Sequence, residues 1–230
     1  MLWGALIASC NKNNDGNGGG NATTIKATNV INSSIRITTV KVHVWDDDIG
    51  DYGDVIAQAQ YKNNGFTLEL PATVPAKYLD FIFDSPPKSI TISDRNVKGC
   101  ALLDGIHGYD KGENEIGYFC LIEENDNSYY ETFWMYVDRD VTVKGEYKDT
   151  DYYEEVIEKY DLKLKKGWNV VYVSAIESYN NSTGTEVYTA SVTSQKPSGV
   201  NYQWYYENFY SGRATTKPAF SKLQENRTIK

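Results

Sequence analysis

Hydrophobic and polar residues alternate along most of the chain with the period of two that is typical of β-strands. The segment SIRITTVKVHVW places Ile35 and Ile37 on one face of a strand, and the three valines of VKVHV continue the alternation. Between them the phase shifts by one residue, at Thr38 and Thr39. A phase shift inside a strand predicts a β-bulge at this point.

The same alternation recurs through the rest of the body, and Val, Ile, Thr and Tyr predominate in it. Polar turns separate about eleven such segments at intervals of about 8–12 residues, which predicts an all-β fold built as one or two antiparallel β-sandwiches. A lipocalin-like barrel for the second half is the alternative. Besides SIRITTVKVHVW, the segments are VIAQAQY, FTLELP, YLDFIF, SITIS, IGYFCLIEE, YYETFWMYV, VTVKGEY, YDLKLKKGWNVVYVSAIES, EVYTASVT and YQWYYE.

Glycine, asparagine and proline mark the turns between these segments. The run Lys-Asn-Asn-Gly at 62–65 predicts a hairpin, and Lys-Lys-Gly at 165–167 predicts another. Pro71 and Pro75 predict a loop. Residues 152–159 fit a short helix and a strand equally well, and both assignments stay open.

The N-terminus differs from the body. An apolar run ends in Ile7-Ala8-Ser9-Cys10, and a stretch of Asn, Gly, Lys and Asp follows. The four residues resemble the lipobox of bacterial lipoproteins, in which the segment before the cysteine is removed and the cysteine is acylated. The resemblance implies a signal remnant at 1–9, lipid on Cys10 and a flexible tether at 10–22. The alternative is an apolar terminus with an incidental cysteine.

The body, residues 23–207, resembles small β-rich surface lipoproteins of gut commensal bacteria, chiefly in YVDRDVTVKGEY and LKLKKGWNVVYV. Its first part, VKVHVW to GFTLELP, resembles transthyretin-like and immunoglobulin-like surface modules. The Gly-rich stretch 94–114 is a possible boundary between two modules. Alternation stops after residue 207, so a basic, disordered tail is predicted over 208–230.

Charge excludes one class of partner. The formal net charge is -8, although the last 23 residues carry five basic side chains and one acidic one. Nucleic acid attracts a basic face, so we expect no nucleic-acid partner. No apolar stretch reaches the roughly 18 residues of a membrane-spanning helix. The predicted membrane contact is therefore the lipid anchor alone.

Clustered carboxylates suggest two sites. In WDDDIGDYGDV, the oxygens of Asp46, Asp48 and Asp51 are candidate ligands for Ca²⁺, although a solvated loop at a sheet edge is the favoured interpretation. No other cofactor is expected. The second cluster contains Asp110, Glu113 and Glu115.

Two carboxylates about 5–9 Å apart are what glycoside hydrolysis requires, with one of them held protonated by burial. Nothing apolar flanks Glu113, and the motif E-x-D-x-x-E is absent. His43 and His107 lie in different segments and cannot form a zinc site alone. We therefore expect no catalytic residues and no enzymatic activity.

With Cys10 assigned to lipid, Cys100 and Cys120 form an even pair in a compartment that permits oxidation. A disulfide between them is possible, and a buried thiol at Cys120 is the alternative.

The segment NYQWYYENFY places Tyr202, Trp204 and Tyr206 on one face of a strand. Such a face suits sugar rings or a protein partner, although burial in the core is the favoured interpretation.

These observations predict a lipoprotein of the outer membrane, facing the periplasm or the cell surface. Its expected role is a binding module for a glycan or an envelope protein. A lipocalin-like carrier of small ligands and a structural or adhesive subunit are the alternatives.

Overall fold

The computed structural model describes residues 23–46, 51–82, 86–102, 105–150 and 154–209. These ranges contain fifteen β-strands and one short 3-10 helix, Ala76–Tyr78. The first eight strands are β1 (Thr23–Ala27), β2 (Thr39–Asp46), β3 (Asp51–Gln60), β4 (Phe66–Leu70), β5 (Asp80–Phe81), β6 (Ile90–Ile92), β7 (Lys98–Leu102) and β8 (Ile106–Tyr109). The other seven are β9 (Glu115–Asn125), β10 (Ser128–Val137), β11 (Val141–Thr150), β12 (Glu154–Leu164), β13 (Gly167–Asn180), β14 (Thr185–Thr193) and β15 (Gln203–Asn208).

The strands form a large 13-stranded sheet and a separate two-stranded sheet, β1–β4. The prediction of an all-β, sandwich-like fold is confirmed. The sheet is mixed, however, because β12 pairs with β14 in parallel. The main path runs β3-β2-β8-β9-β10-β13-β14-β12-β11-β6, and β15, β5 and β7 pair at its sides. The path does not close on itself, so the alternative of a lipocalin-like barrel is wrong.

Strand β10 lies between two hydrophobic cores. Trp134 and Tyr136 belong to the first core, and Phe133 and Val137 belong to the second. Successive side chains of a strand point to opposite faces, so a strand with both faces buried alternates between the two cores. The segment YYETFWMYV is accordingly apolar at consecutive positions rather than at every second one.

The first core lies between the large sheet and the two-stranded sheet. Strand β4 contributes Phe66, Leu68 and Leu70, with the threonine and glutamate between them exposed. Strand β2 contributes three valines, all completely buried: Val40, Val42 and Val44. The intervening residues of β2 therefore point away from this core.

The predicted turn at 62–65 forms, but the strands that flank it do not pair with each other. Asn63 and Asn64 adopt the left-handed conformation, with φ of 53° and 56°, as the two central residues of a type I′ turn require. Strand β3 then pairs with β2, whereas β4 pairs with β1. A Cβ on Gly65 would lie 2.2 Å from the carbonyl oxygen of Ala27, so glycine permits the close approach of the two chain segments.

The turn at 165–167 also differs from its prediction. Strands β12 and β13 are both neighbours of β14, which lies between them in the sheet. The turn therefore joins strands two places apart, and the predicted hairpin is wrong. Asn169 stabilises the turn, because its side chain accepts the N–H of Lys165 and donates to the Lys165 carbonyl.

The structure decides three further assignments. The strand β2 begins at Thr39, so Ile35 and Ile37 lie in a loop, where Ile37 is buried and Ile35 is exposed. The bulge predicted at Thr38–Thr39 is wrong; the irregularities lie later, on either side of His43. Residues 154–159 form part of strand β12, which excludes the helical alternative there.

The stretch 94–114 contributes β7 and β8 to the large sheet. Strand β8 pairs with β2 on one side and with β9 on the other, so it connects the first half of the body to the second. Within the described ranges, no helix has the length and apolar character needed to cross a bilayer. The predicted signal remnant and tether lie outside the described residues, as does the predicted tail from residue 210 onward.

Candidate functional site

The face of the sheet opposite the first core is polar and aromatic. Because the valines of β2 point inward, Lys41, His43 and Trp45 point outward. The pairing register aligns side chains from neighbouring strands with these three. Trp45 lies opposite Tyr52 of β3, and Lys41 lies opposite His107 of β8. We call this surface the polar face; it comprises Lys41, His43, Trp45, Tyr52, His107, Tyr109 and Glu115.

A chain of hydrogen bonds links four strands at the polar face. His43 Nδ1 lies 3.1 Å from the carbonyl oxygen of Gly53, and His43 Nε2 lies 3.0 Å from the Tyr109 hydroxyl. The Tyr109 hydroxyl is 3.1 Å from Glu115 Oε2, and Glu115 Oε1 is 2.5 Å from His107 Nδ1. One carboxylate thus joins the two histidines, one of them through a tyrosine.

These hydrogen bonds stabilise the fold because the groups that they join are wholly or partly buried. His107 is only 2% exposed, so its ring nitrogen depends on the carboxylate as a partner. Burial raises the pKa of Tyr109, and the negative charges of Glu115 and Glu113 raise it further. The ammonium of Lys41 lies 4.3 Å from the centroid of the Tyr109 ring and forms an ion pair with Glu113. The Tyr109 hydroxyl therefore keeps its proton over the physiological pH range.

An aromatic pair forms the exposed rim of the polar face. The side chain of Trp45 is 48% exposed. Its ring meets Tyr52 edge to face, with centroids 5.6 Å apart and planes at 83°. Tyr52 in turn lies 4.7 Å from the ring of His107. An exposed indole beside hydrogen-bonding groups offers both an apolar surface and polar contacts to a ligand.

Several of these residues are candidates from the sequence, but the sequence does not predict that they lie close together. His43 and His107 are 64 positions apart, yet their ring centroids are 5.6 Å apart. The available signal was alternation, because Lys41, His43 and Trp45 alternate with Val40, Val42 and Val44 in the segment VKVHVW. Pairing of β2 with β8 could not be predicted from that pattern.

The predicted ligand face of Tyr202, Trp204 and Tyr206 is mostly core. Trp204 is 7% exposed and stacks on Trp134, with ring planes at 9°, and Tyr206 is 3% exposed. A binding face there is therefore wrong for these two residues, because β15 pairs with β9 and turns Trp204 and Tyr206 into the first core. Tyr202 is half-buried beside Tyr172, with 5.8 Å between ring centroids.

The cysteines of the body are both thiols and are not bridged to each other. Cys100 lies opposite Tyr136 of β10, whereas Cys120 lies opposite Tyr205 of β15, so they belong to different strand pairs. Burial raises the pKa of Cys100 to about 12, which keeps its thiol protonated. The possible disulfide is therefore absent from this structure, and Cys10 lies outside the described residues.

The first acidic cluster, with the candidate Ca²⁺ ligands, is only partly described by the structure. Asp48 lies outside the described residues, as do the side chains of Asp46 and Asp51, whose backbones form the closing pair of the β2–β3 hairpin. Among the residues that are described, no group of three or more His, Cys, Asp or Glu side chains is arranged to hold a metal ion.

The residues of the second cluster have three different environments. Asp110 accepts the backbone N–H groups of Asn114 and Gly112 in the β8–β9 turn; the bond from Asn114 lowers its pKa most, and the bond from Arg36 lowers it further. Glu113 pairs with Lys41 at the surface, and Glu115 joins the hydrogen-bond chain. Only Glu115 belongs to the polar face.

A comparison of the chain with protein-family models, with curated proteins and with solved structures found no match. The chemistry of the polar face is therefore the basis on which a function can be proposed for this chain.

Replacing Glu115 with alanine tests the energetic role of the hydrogen-bond chain. The change removes the acceptor of the buried His107 and of Tyr109, and we expect the free energy of unfolding to fall by about 1–3 kcal/mol. Urea denaturation followed by tryptophan fluorescence measures it. The matched control is Glu113→Ala, whose carboxylate is 65% exposed and pairs only at the surface. The control substitution should lower the free energy of unfolding by less than about 1 kcal/mol. Equal losses in the two variants would show that the hydrogen bonds of Glu115 do not stabilise the fold.

Proposed function

We propose that the chain is a lipid-anchored binding module of the bacterial cell envelope, and that its ligand is a glycan bound at the polar face. In this role the chain binds its ligand and does not catalyse a reaction. The observation that carries it is the half-exposed Trp45 packed against Tyr52, directly beside a connected set of polar side chains.

A sugar ring has two kinds of surface, and the polar face offers a partner for each. The C–H groups on the face of a pyranose are apolar and pack on an aromatic ring, as the exposed indole of Trp45 allows. The hydroxyl groups at its edge need donors and acceptors, which the ammonium of Lys41 and the partly exposed carboxylate of Glu115 provide nearby. These groups lie on paired strands rather than on loops, so their positions are fixed before a ligand arrives.

The first test replaces Trp45 with alanine. Wild-type protein is applied to an array of bacterial and host glycans, and the affinity for the best ligand is then measured by calorimetry. We expect Trp45→Ala to weaken binding at least about tenfold, as an exposed tryptophan anchor should. The control is Tyr179→Ala, which removes a side chain that is 59% exposed on β13, away from the polar face.

Two results would overturn the glycan assignment. One is equal binding by wild type and Trp45→Ala. The other is an absence of glycan binding together with Trp45-dependent capture of an envelope protein, which would assign the same face to a protein partner.

Attachment to the membrane rests on the lipobox-like residues Ile7 to Cys10, which lie outside the described residues. We expect Cys10→Ser to move the protein from the membrane fraction to the soluble fraction of expressing cells, because acyl chains supply the membrane affinity. Intact-mass measurement of the native protein gives an independent readout. A native mass that retains Met1 and carries no acyl groups would refute the anchor.

One observation favours a second role, as a structural or adhesive subunit. Strand β3 ends the path of the large sheet and pairs only with β2 within the described ranges. Its residues 55–60, Val-Ile-Ala-Gln-Ala-Gln, carry no charge, and Val55 is 42% exposed. Edge strands normally carry charges that prevent pairing with other chains. In a chain of net charge -8, this neutral edge is where a second copy could pair with least repulsion.

The double substitution Gln58→Lys and Gln60→Lys tests the edge. Both side chains are exposed, and two added charges on each copy should prevent pairing. Sedimentation of the full chain carrying Cys10→Ser should show dimers that the double variant lacks. The control Thr142→Lys places a charge on β11, which has partners on both sides at that end. A monomer at all concentrations, or dimers that survive the double substitution, would exclude this role.

A further inference from the structure

The hydrogen-bond chain at the polar face contains four close contacts, and each contact needs one hydrogen. In order, the contacts join Gly53 to His43, His43 to Tyr109, Tyr109 to Glu115, and Glu115 to His107. The number of hydrogens that the groups carry can be counted from their ordinary chemistry.

Two contacts are assigned at once. A backbone carbonyl only accepts, so His43 Nδ1 carries a hydrogen and donates it to Gly53. An ionised carboxylate only accepts, so His107 Nδ1 carries a hydrogen and donates it to Glu115.

The two contacts of Tyr109 are then one hydrogen short. Its hydroxyl has a single hydrogen, which can point to Glu115 Oε2 or to His43 Nε2 but not to both. With His43 neutral and Glu115 ionised, one of the two contacts places two acceptors about 3 Å apart. Tyr109 is only 8% exposed, so this mismatch is shielded from bulk water.

From this count we infer that the folded protein binds one additional proton within the His43–Tyr109–Glu115 chain, and that the proton completes it. The proton has two alternative positions. On His43 Nε2 it points to the Tyr109 oxygen, and the Tyr109 hydroxyl points to the carboxylate. On Glu115 Oε2 it also points to Tyr109, and the Tyr109 hydroxyl then turns to His43.

The surrounding charges are nearly balanced. Lys41 and Glu113 pair with each other beside Tyr109, and Tyr52 and the second histidine, His107, face the chain from β3 and β8. Burial raises the pKa of Tyr109, so this hydroxyl does not lose its own hydrogen as the pH rises. The proton that is exchanged is therefore the additional one and not the hydrogen of the Tyr109 hydroxyl.

Proton binding has a structural consequence. The completed chain ties β3, through the carbonyl of Gly53, to β2, β8 and β9. When the pH rises and the additional proton is lost, one of these hydrogen bonds between strands, close to Tyr52, is lost with it. This inference is independent of the glycan proposal, because it concerns the protein without a ligand.

Stability as a function of pH tests the inference. An unfolded histidine releases its proton near about pH 6.5. If the folded chain still holds the proton above that pH, the folded state binds more protons than the unfolded state, and stability falls as the pH rises. The folding equilibrium constant should then decrease by up to about tenfold per pH unit between about pH 6.5 and 8.

Two variants identify the source of this dependence. Tyr109→Phe breaks the chain but leaves the Glu115–His107 contact, so it should flatten the pH profile. Glu115→Gln replaces the carboxylate by an amide, whose N–H donates to Tyr109 and supplies the missing hydrogen; it too should flatten the profile, without large loss of stability. A pH profile that Tyr109→Phe leaves unchanged would overturn the inference and assign the dependence to His107 alone.

Nuclear magnetic resonance of the wild-type protein provides a second readout, because it reports on the His43 ring directly. The chain has two histidines, so His43→Gln assigns the imidazole signals in long-range ¹⁵N–¹H spectra. We expect the His43 signals to respond to the same pH change as the stability, and to lose that response in Glu115→Gln. An unchanged His43 spectrum across the range in which stability changes would contradict the proton-sharing chain.

Discussion

The burial of both faces of β10 is the constraint on which the rest of this structure depends. A strand in that position must present apolar side chains at successive residues, and Phe133, Trp134, Tyr136 and Val137 do so, packing into two different cores. Its long pairing with β13 and its shared pairing with β7 and β9 follow from this central place. The two cores therefore belong to one continuous sheet, although each has its own set of side chains.

The polar face exists because β2 borders only one of these cores. Its valines are fully buried on one side, whereas Lys41, His43 and Trp45 on the other side belong to neither of the two cores. Hydrogen bonds compensate for the burial of polar atoms there. The Glu115 carboxylate contacts His107 directly, and it is linked to His43 through the Tyr109 hydroxyl. A partly buried network of this kind is costly if it is incomplete, so its proton content affects the strands it joins.

The proposed functions and the inferred proton use different parts of the same region. A ligand would meet Trp45 and Tyr52 at the exposed rim, whereas the proton resides in the hydrogen-bond chain beneath them. The uncharged edge of β3 lies beside both. A binding role, a subunit role and a response to pH are therefore separable by substitution, because Trp45, the two glutamines of β3 and Tyr109 each affect one of them.

Local pattern determined the strand content, the existence of most turns and the core positions of strands such as β4, since side chains alternate with period two wherever one face is buried. The same pattern could not decide which strands pair. The turns at 62–65 and 165–167 formed, yet the strands on either side joined different partners, because pairing depends on the burial of whole faces rather than on the turn between two strands. For the same reason Trp204 is buried in the core and Trp45 is exposed at the surface, although each belongs to an alternating segment. Only the tertiary structure decided that His43, Tyr109, Glu115 and His107 meet, because pairing between β2, β8 and β9 brings together residues that are distant in the sequence.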